Sequence, residues 1–166
     1  PRNAEPSTPE PKLLSVGCDT LYWSAKGDLS KAFDALRAKR DAANTAGDSL
    51  PWATLHGFSL SVIPHGALRY PLVLECFEFR IHLTNSGHLP TVYVELRSAF
   101  IQEVGLEQAF SESVDVVAEI VSTPLTEPHV SRIDLFADYA DWPILHADYP
   151  GFVTQAAADI GATAIG

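Results

Sequence analysis

The spacing of hydrophobic and polar positions changes several times along this chain, and each change marks an element. Leu13 to Ala25 is mostly apolar and aromatic, with Val16, Leu21, Tyr22 and Trp23, and predicts a first strand ending at Gly27-Asp28. From Leu29 to Ala46 the period lengthens: Leu29, Ala32, Phe33, Leu36 and Arg40 recur at helical spacing, with charged residues between them. Asp28 is the expected N-cap and Gly47 the expected stop. Phe58 to Ile63 alternates as a strand, and Pro64 to Pro71 reads as a turn. Leu72 to Thr84 predicts one long strand, with Phe77, Phe79, Ile81 and Leu83 on one face and Glu78, Arg80 and His82 on the other.

Asn85-Ser-Gly-His88 is a turn, and Thr91 to Arg97 alternates again, with Val92, Val94 and Leu96 inward and Tyr93, Glu95 and Arg97 outward. The short glycine-containing connection predicts a hairpin between these two strands. Leu106 to Val121 returns to helical spacing, and Thr123 to Pro128 breaks it. Val130 to Tyr139 is the last predicted strand: Ile133, Leu135 and Ala137 fall on one side, and Arg132, Asp134, Phe136 and Asp138 on the other. Phe152 to Ile160 is a candidate short helix. Together these predict an α+β fold, a largely antiparallel sheet of about five strands with two to three helices packed on one face and the other face polar.

Length and composition narrow the setting. The 166 residues suit a single domain over 12–166, preceded by a proline-rich arm over 1–11 that has little to contribute to a core. The chain begins at Pro1 without a methionine and stops at Gly166 within a run of small apolar residues, which suggests a C-terminally truncated or processed chain. No apolar run approaches the roughly 20 residues of a membrane span, and nothing resembles a signal peptide, so no membrane partner and a cytoplasmic setting are expected. Cys18 and Cys76 show no metal-ligand spacing and read as structural thiols in strands. The net charge of −10 argues against avid binding to duplex DNA, which depends on lysine and arginine neutralising phosphates.

Chemistry concentrates on three polar stripes: Glu78, Arg80 and His82; Tyr93, Glu95 and Arg97; and Arg132, Asp134 and Asp138. On neighbouring strands such side chains stand roughly 5 Å apart. Asp134 and Asp138 are roughly 13 Å apart along one strand and cannot share an ion. A cation would therefore need Asp134 or Asp138 together with Glu95, Glu78 or His82, a set that suits Mg²⁺ or Mn²⁺ better than Zn²⁺. Charges on an open sheet face also pair simply with one another, and that alternative stands beside the metal reading. His65 and His88 lie in turns and read as solvent-facing; His129 and His146 carry no assignment.

The run V-S-R-I-D-L-F-A-D-Y, with L-P-T-V-Y-V-E-L-R-S before it and F-V-T after it, resembles the replication initiation factor family. These are initiators of rolling-circle plasmids and filamentous-phage-type elements. I-P-H-G-A-L-R-Y-P-L-V-L-E and F-R-I-H-L stand upstream in a similar order, so that the resemblance spans roughly residues 20 to 160. It implies a DNA strand-nicking and joining enzyme acting at a replication origin, with a tyrosine nucleophile and a divalent cation that polarises the scissile phosphate. Arg132 and Asp134 fall on the family's R-x-D core and Asp138 on its second acidic position. By that resemblance these three are the catalytic candidates, with Asp134 the metal ligand and Arg132 a phosphate contact or a brace for the carboxylates. Glu95 as a second ligand, and Arg80 and Arg97 as DNA contacts, come from the sheet argument. The nucleophile is expected C-terminal to the motif, at Tyr139, Tyr149 or beyond Gly166. Two readings without catalysis remain open: a binding module that recognises DNA or a protein through its sheet, and a domain whose polar face is only solvated or forms a homodimer.

Overall fold

The computed structural model describes residues 10–121 and 124–142. Contacts divide the chain into a large unit, residues 15–137, and a second unit formed by residues 1–14 and 138–166. Of the second unit only residues 10–14 and 138–142 are described, and Tyr139 and Trp142 pack edge to face there, their rings 4.9 Å apart. The arm over 1–9 and the candidate helix Phe152 to Ile160 lie outside the described residues.

The described chain is α+β, with seven strands and three helices in the order β1 (Lys12–Ala25), α1 (Ser30–Ala46), β2 (Leu50–Leu55), β3 (Phe58–Val62), β4 (Leu72–Glu75), β5 (Phe79–Leu83), β6 (Val92–Leu96), α2 (Ser98–Val104), α3 (Leu106–Ile120) and β7 (His129–Ala140). The strands form one antiparallel sheet in the order β2-β3-β4-β5-β6-β1-β7. Five successive strands, β2 to β6, meander; β1 then inserts between β6 and β7.

The sheet has more strands than the five expected. Leu72 to Thr84 is two strands, because the chain reverses at Cys76-Phe77-Glu78 and the Cys76 amide bonds the Phe79 carbonyl at 3.0 Å. Phe77 therefore stands in a turn, 70% exposed, and not on the apolar face. The other extra strand, β2, carries Pro51 and forms the outer edge, where a missing N–H does least damage.

Alternation places one face in the core. Leu21, Trp23 and Ala25 of β1, Phe79, Ile81 and Leu83 of β5, and Val92, Val94 and Leu96 of β6 are all buried, and the apolar sides of the helices supply Leu36, Phe100, Ile101, Val116 and Val117. Trp23 shows how a polar atom enters this layer at low cost: its Nε1 donates to Ser113 Oγ at 3.0 Å, and Ser113 in turn donates to the Phe110 carbonyl. Helix α1 ends where expected, at left-handed Gly47 (φ 71°), after which the Asp48 amide returns to the Ala43 carbonyl. At the other end the cap position is Leu29 and not the expected Asp28, which stands one residue earlier and accepts the Ser30 amide at 2.8 Å, so that a free donor of the first turn is still satisfied.

Candidate functional site: the helix-free sheet face

Among the described residues, the helices leave the opposite face of the sheet to side chains from β1, β4, β5, β6 and β7. Cross-strand register sets two rows. In one, Val73, His82, Tyr93 and Ser24 are successive partners; in the next, Glu75, Arg80, Glu95 and Tyr22 are. The expectation that the β5 and β6 stripes are neighbours is met, since Arg80 and Glu95 are direct partners.

Aromatic rings dominate the first row. Tyr93 packs tilted against Tyr22, with centroids 5.9 Å apart, and stacks with Tyr70 at 6.0 Å. His82 sits between Tyr70 and Tyr93, 5.8 and 5.7 Å from their centroids. At the far end the Arg132 guanidinium lies over the Tyr22 ring, 5.2 Å from its centroid. Tyr70 arrives on a tight turn. Ala67 and Tyr70 exchange backbone hydrogen bonds of 3.0 and 2.8 Å, while Leu68 and Arg69 take φ of 52° and 73°. Two consecutive left-handed residues are the pattern of a type I′ turn, which usually uses Asn or Gly, so this turn holds about 1–2 kcal/mol of strain per residue. Gly66 is required next to it, because a Cβ there would run into the Tyr70 carbonyl oxygen.

His82 is 1% exposed, and neither ring nitrogen makes an aligned hydrogen bond. Its Nε2 stands 3.2 Å from Glu95 Oε1. That neighbour holds the Glu95 carboxyl below its ordinary range; burial opposes the effect, and Arg80 and Arg97 add to it. Glu75 gathers two cations, Arg80 Nη2 at 2.8 Å and Arg97 Nη2 at 3.3 Å. Burial raises the phenols of Tyr70 and Tyr93, so both stay protonated at neutral pH.

Asp134 lies on this face as the alternation predicts, but β1 separates it from the stripes of β5 and β6. Two strand spacings put its backbone roughly 10 Å from that of Glu95. Both of its oxygens are engaged: Arg132 Nε reaches Oδ1 at 2.9 Å and Nη2 reaches Oδ2 at 2.8 Å, while Thr20 Oγ1 donates to Oδ2 at 2.9 Å. These donors, Arg132 first and Thr20 second, hold the Asp134 carboxyl below its usual value. The arrangement thus brings Arg132 to Asp134 and does not bring Glu95 to either. Glu78 lies in the β4–β5 turn, where its carbonyl accepts the Arg97 amide at 3.0 Å. Asp138 belongs to the second unit, and Tyr149 lies outside the described residues. Among the described residues no three His, Cys, Asp or Glu side chains converge as a cation site. The pair Asp134 and Glu95 does not fit a divalent ion as it stands, since each carboxylate already serves a different partner.

His65 and His88 are exposed in their turns, as expected. Both cysteines are free, and burial pushes the half-buried Cys76 thiol up to about 12, in keeping with a structural role. Sequence reasoning missed Tyr22, Thr20, Glu75 and Tyr70 as parts of this face. The alternation Thr20-Tyr22-Ser24 against Leu21-Trp23-Ala25 could have revealed the β1 members; Tyr70, held by a turn, carries no periodic signal. No family model, curated protein or solved structure matches the chain. The class that fold and site define is an α+β protein with an aromatic, arginine-edged sheet face that no helix covers among the described residues.

Proposed function

We propose that the helix-free face binds single-stranded DNA, as the strand-holding part of a rolling-circle-type replication initiator. The observation that carries this reading is the row Tyr70, Tyr93 and Tyr22 ending beneath the Arg132 guanidinium. Unpaired bases stack on aromatic rings and on arginine planes without regard to sequence. Tyr22 and Tyr93 keep part of their surface in solvent, where a base can reach them, whereas Tyr70 is buried and stacks with Tyr93.

Charge supports a strand held mainly by stacking. The whole chain carries 11 basic and 21 acidic residues, yet on this face Arg80, Arg97 and Arg132 balance Glu75, Glu95 and Asp134. Arg132 and Arg97 are the most exposed of the three guanidiniums and the natural phosphate contacts. Such a surface tolerates a polyanion without being driven by counterion release, so its affinity should fall only gently with salt. The resemblance of the R-I-D-L run to replication initiation factors points the same way. The reading assigns strand binding to the described residues and assigns them no phosphodiester cleavage. Titration of a labelled oligo-dT against the wild-type chain and alanine variants of Tyr22 and Tyr93 tests it; binding that ignores both substitutions would refute it.

A further inference from the structure

Strand β7 is the outermost strand on its side of the sheet, and among the described residues nothing pairs with its outer edge. An open edge is a row of free backbone donors and acceptors, which folded proteins ordinarily guard with prolines, lysines or bulges. Val130 to Ala137 contains no proline and no lysine, its two charges, Arg132 and Asp134, are paired with each other, and its apolar side chains are open to solvent: Val130 and Ile133 are each 46% exposed and Leu135 is 73% exposed.

We propose that this edge is the contact between two copies of the chain, with the β7 strands antiparallel across a two-fold axis at Ile133. Charge complementarity along β7 fixes the register. A two-fold axis perpendicular to the sheet keeps each face on its own side, so it must pass through a residue that faces itself. At Arg132 it would oppose two guanidiniums, and at Asp134 two carboxylates. At Leu135 it would set Asp134 against an aromatic ring. At Ile133, Arg132 faces the partner's Asp134 and Asp134 faces the partner's Arg132, so the ion pair already present within each strand becomes an alternating square of four charges. On the other side of the sheet, Ile133 meets its own copy and Leu135 meets Ser131, so this exposed apolar stripe is shielded. The proposal shares Arg132 with strand binding, whose rings lie on β1 and β6, so self-association is read by sedimentation in the absence of DNA.

Sedimentation velocity on the full chain tests it with two charge reversals. Arg132→Asp opposes acid to acid and Asp134→Arg opposes base to base, so each variant alone should dissociate, its dimer constant weakened by about tenfold or more. Mixed in equal amounts the two should pair again, because each supplies the charge the other lost; a merely misfolded variant could not be rescued in this way. Oxidised Ile133→Cys should form a disulfide-linked dimer and Leu135→Cys should not. A wild-type chain that stays monomeric, as it would if residues 143–166 of the same chain took the edge, overturns the proposal. So does a dimer indifferent to both reversals, a mixture that stays monomeric, or cross-linking at 135 in place of 133.

Discussion

Arg132 is held over Tyr22: its guanidinium carbon lies 5.2 Å from the ring centroid while two of its nitrogens grip Asp134. The carboxylate thereby acts as a positioning group for the cation. Arg132→Lys keeps the charge but loses both the flat stacking surface and the two-pronged grip on Asp134. The lysine variant should therefore bind oligo-dT as weakly as Arg132→Ala, within experimental error, in a fluorescence-anisotropy titration. Full binding by the lysine variant would show that charge alone matters.

The Glu95 carboxyl is held low by His82, with Arg80 and Arg97 contributing. A carboxyl whose folded pKa lies below its unfolded value, here 4.5, contributes stability that is fully present above that value and is lost as pH falls through the folded one. Glu95→Gln should thus be less stable than wild type in urea near neutral pH, and the gap should close on acidification below about pH 4.5. A gap of constant size across that range would contradict the assignment.

Gly17 of β1 lies against Phe136 of β7, and a Cβ added there would stand 2.8 Å from the ring. Gly17→Ala should cost about 1 kcal/mol, since the ring end can shift but only by giving up contacts. The cost should vanish when Phe136→Ala is present, because the clash has gone. A thermodynamic cycle of the two variants by thermal melting measures this directly; additive effects would mean that the two residues do not press on each other.

Arg132 and Thr20 already occupy both Asp134 oxygens. A divalent cation would have to displace the guanidinium, so Mn²⁺ should leave the melting temperature of the wild-type chain unchanged. A rise that Asp134→Ala abolishes would instead restore Asp134 as a metal ligand and favour strand nicking over strand holding.

Local periodicity was enough for α1, α3 and the β5–β6 hairpin, because each is decided by neighbours in sequence: the spacing around Leu36, the apolar run from Ala109 to Ile120, and the Asn85-to-His88 turn. It failed at Cys76-Phe77-Glu78, a reversal made without glycine, proline or asparagine, through which the alternation of apolar residues runs on unbroken. It failed more consequentially over which strand lies beside which. That β1 slots between β6 and β7 is a long-range pairing of Tyr22 with Glu95 on one side, while Thr20 meets Asp134 on the other. Nothing within either segment announces it. The polar side of each stripe was therefore legible, but its neighbours were not, and the same insertion that parts Glu95 from Asp134 supplies Tyr22 to the aromatic row.

Strand binding on this face depends on bases stacking on Tyr22 and Tyr93. Anisotropy of a labelled oligo-dT, titrated with wild type and with Tyr22→Phe, Tyr93→Phe, Tyr22→Ala and Tyr93→Ala, measures it most directly. The phenylalanine variants keep the ring and should bind as wild type does; each alanine variant should lose about 1–3 kcal/mol, roughly a fivefold to hundredfold weakening. No binding by the wild-type chain, or full binding by folded alanine variants, would rule out base stacking on these rings.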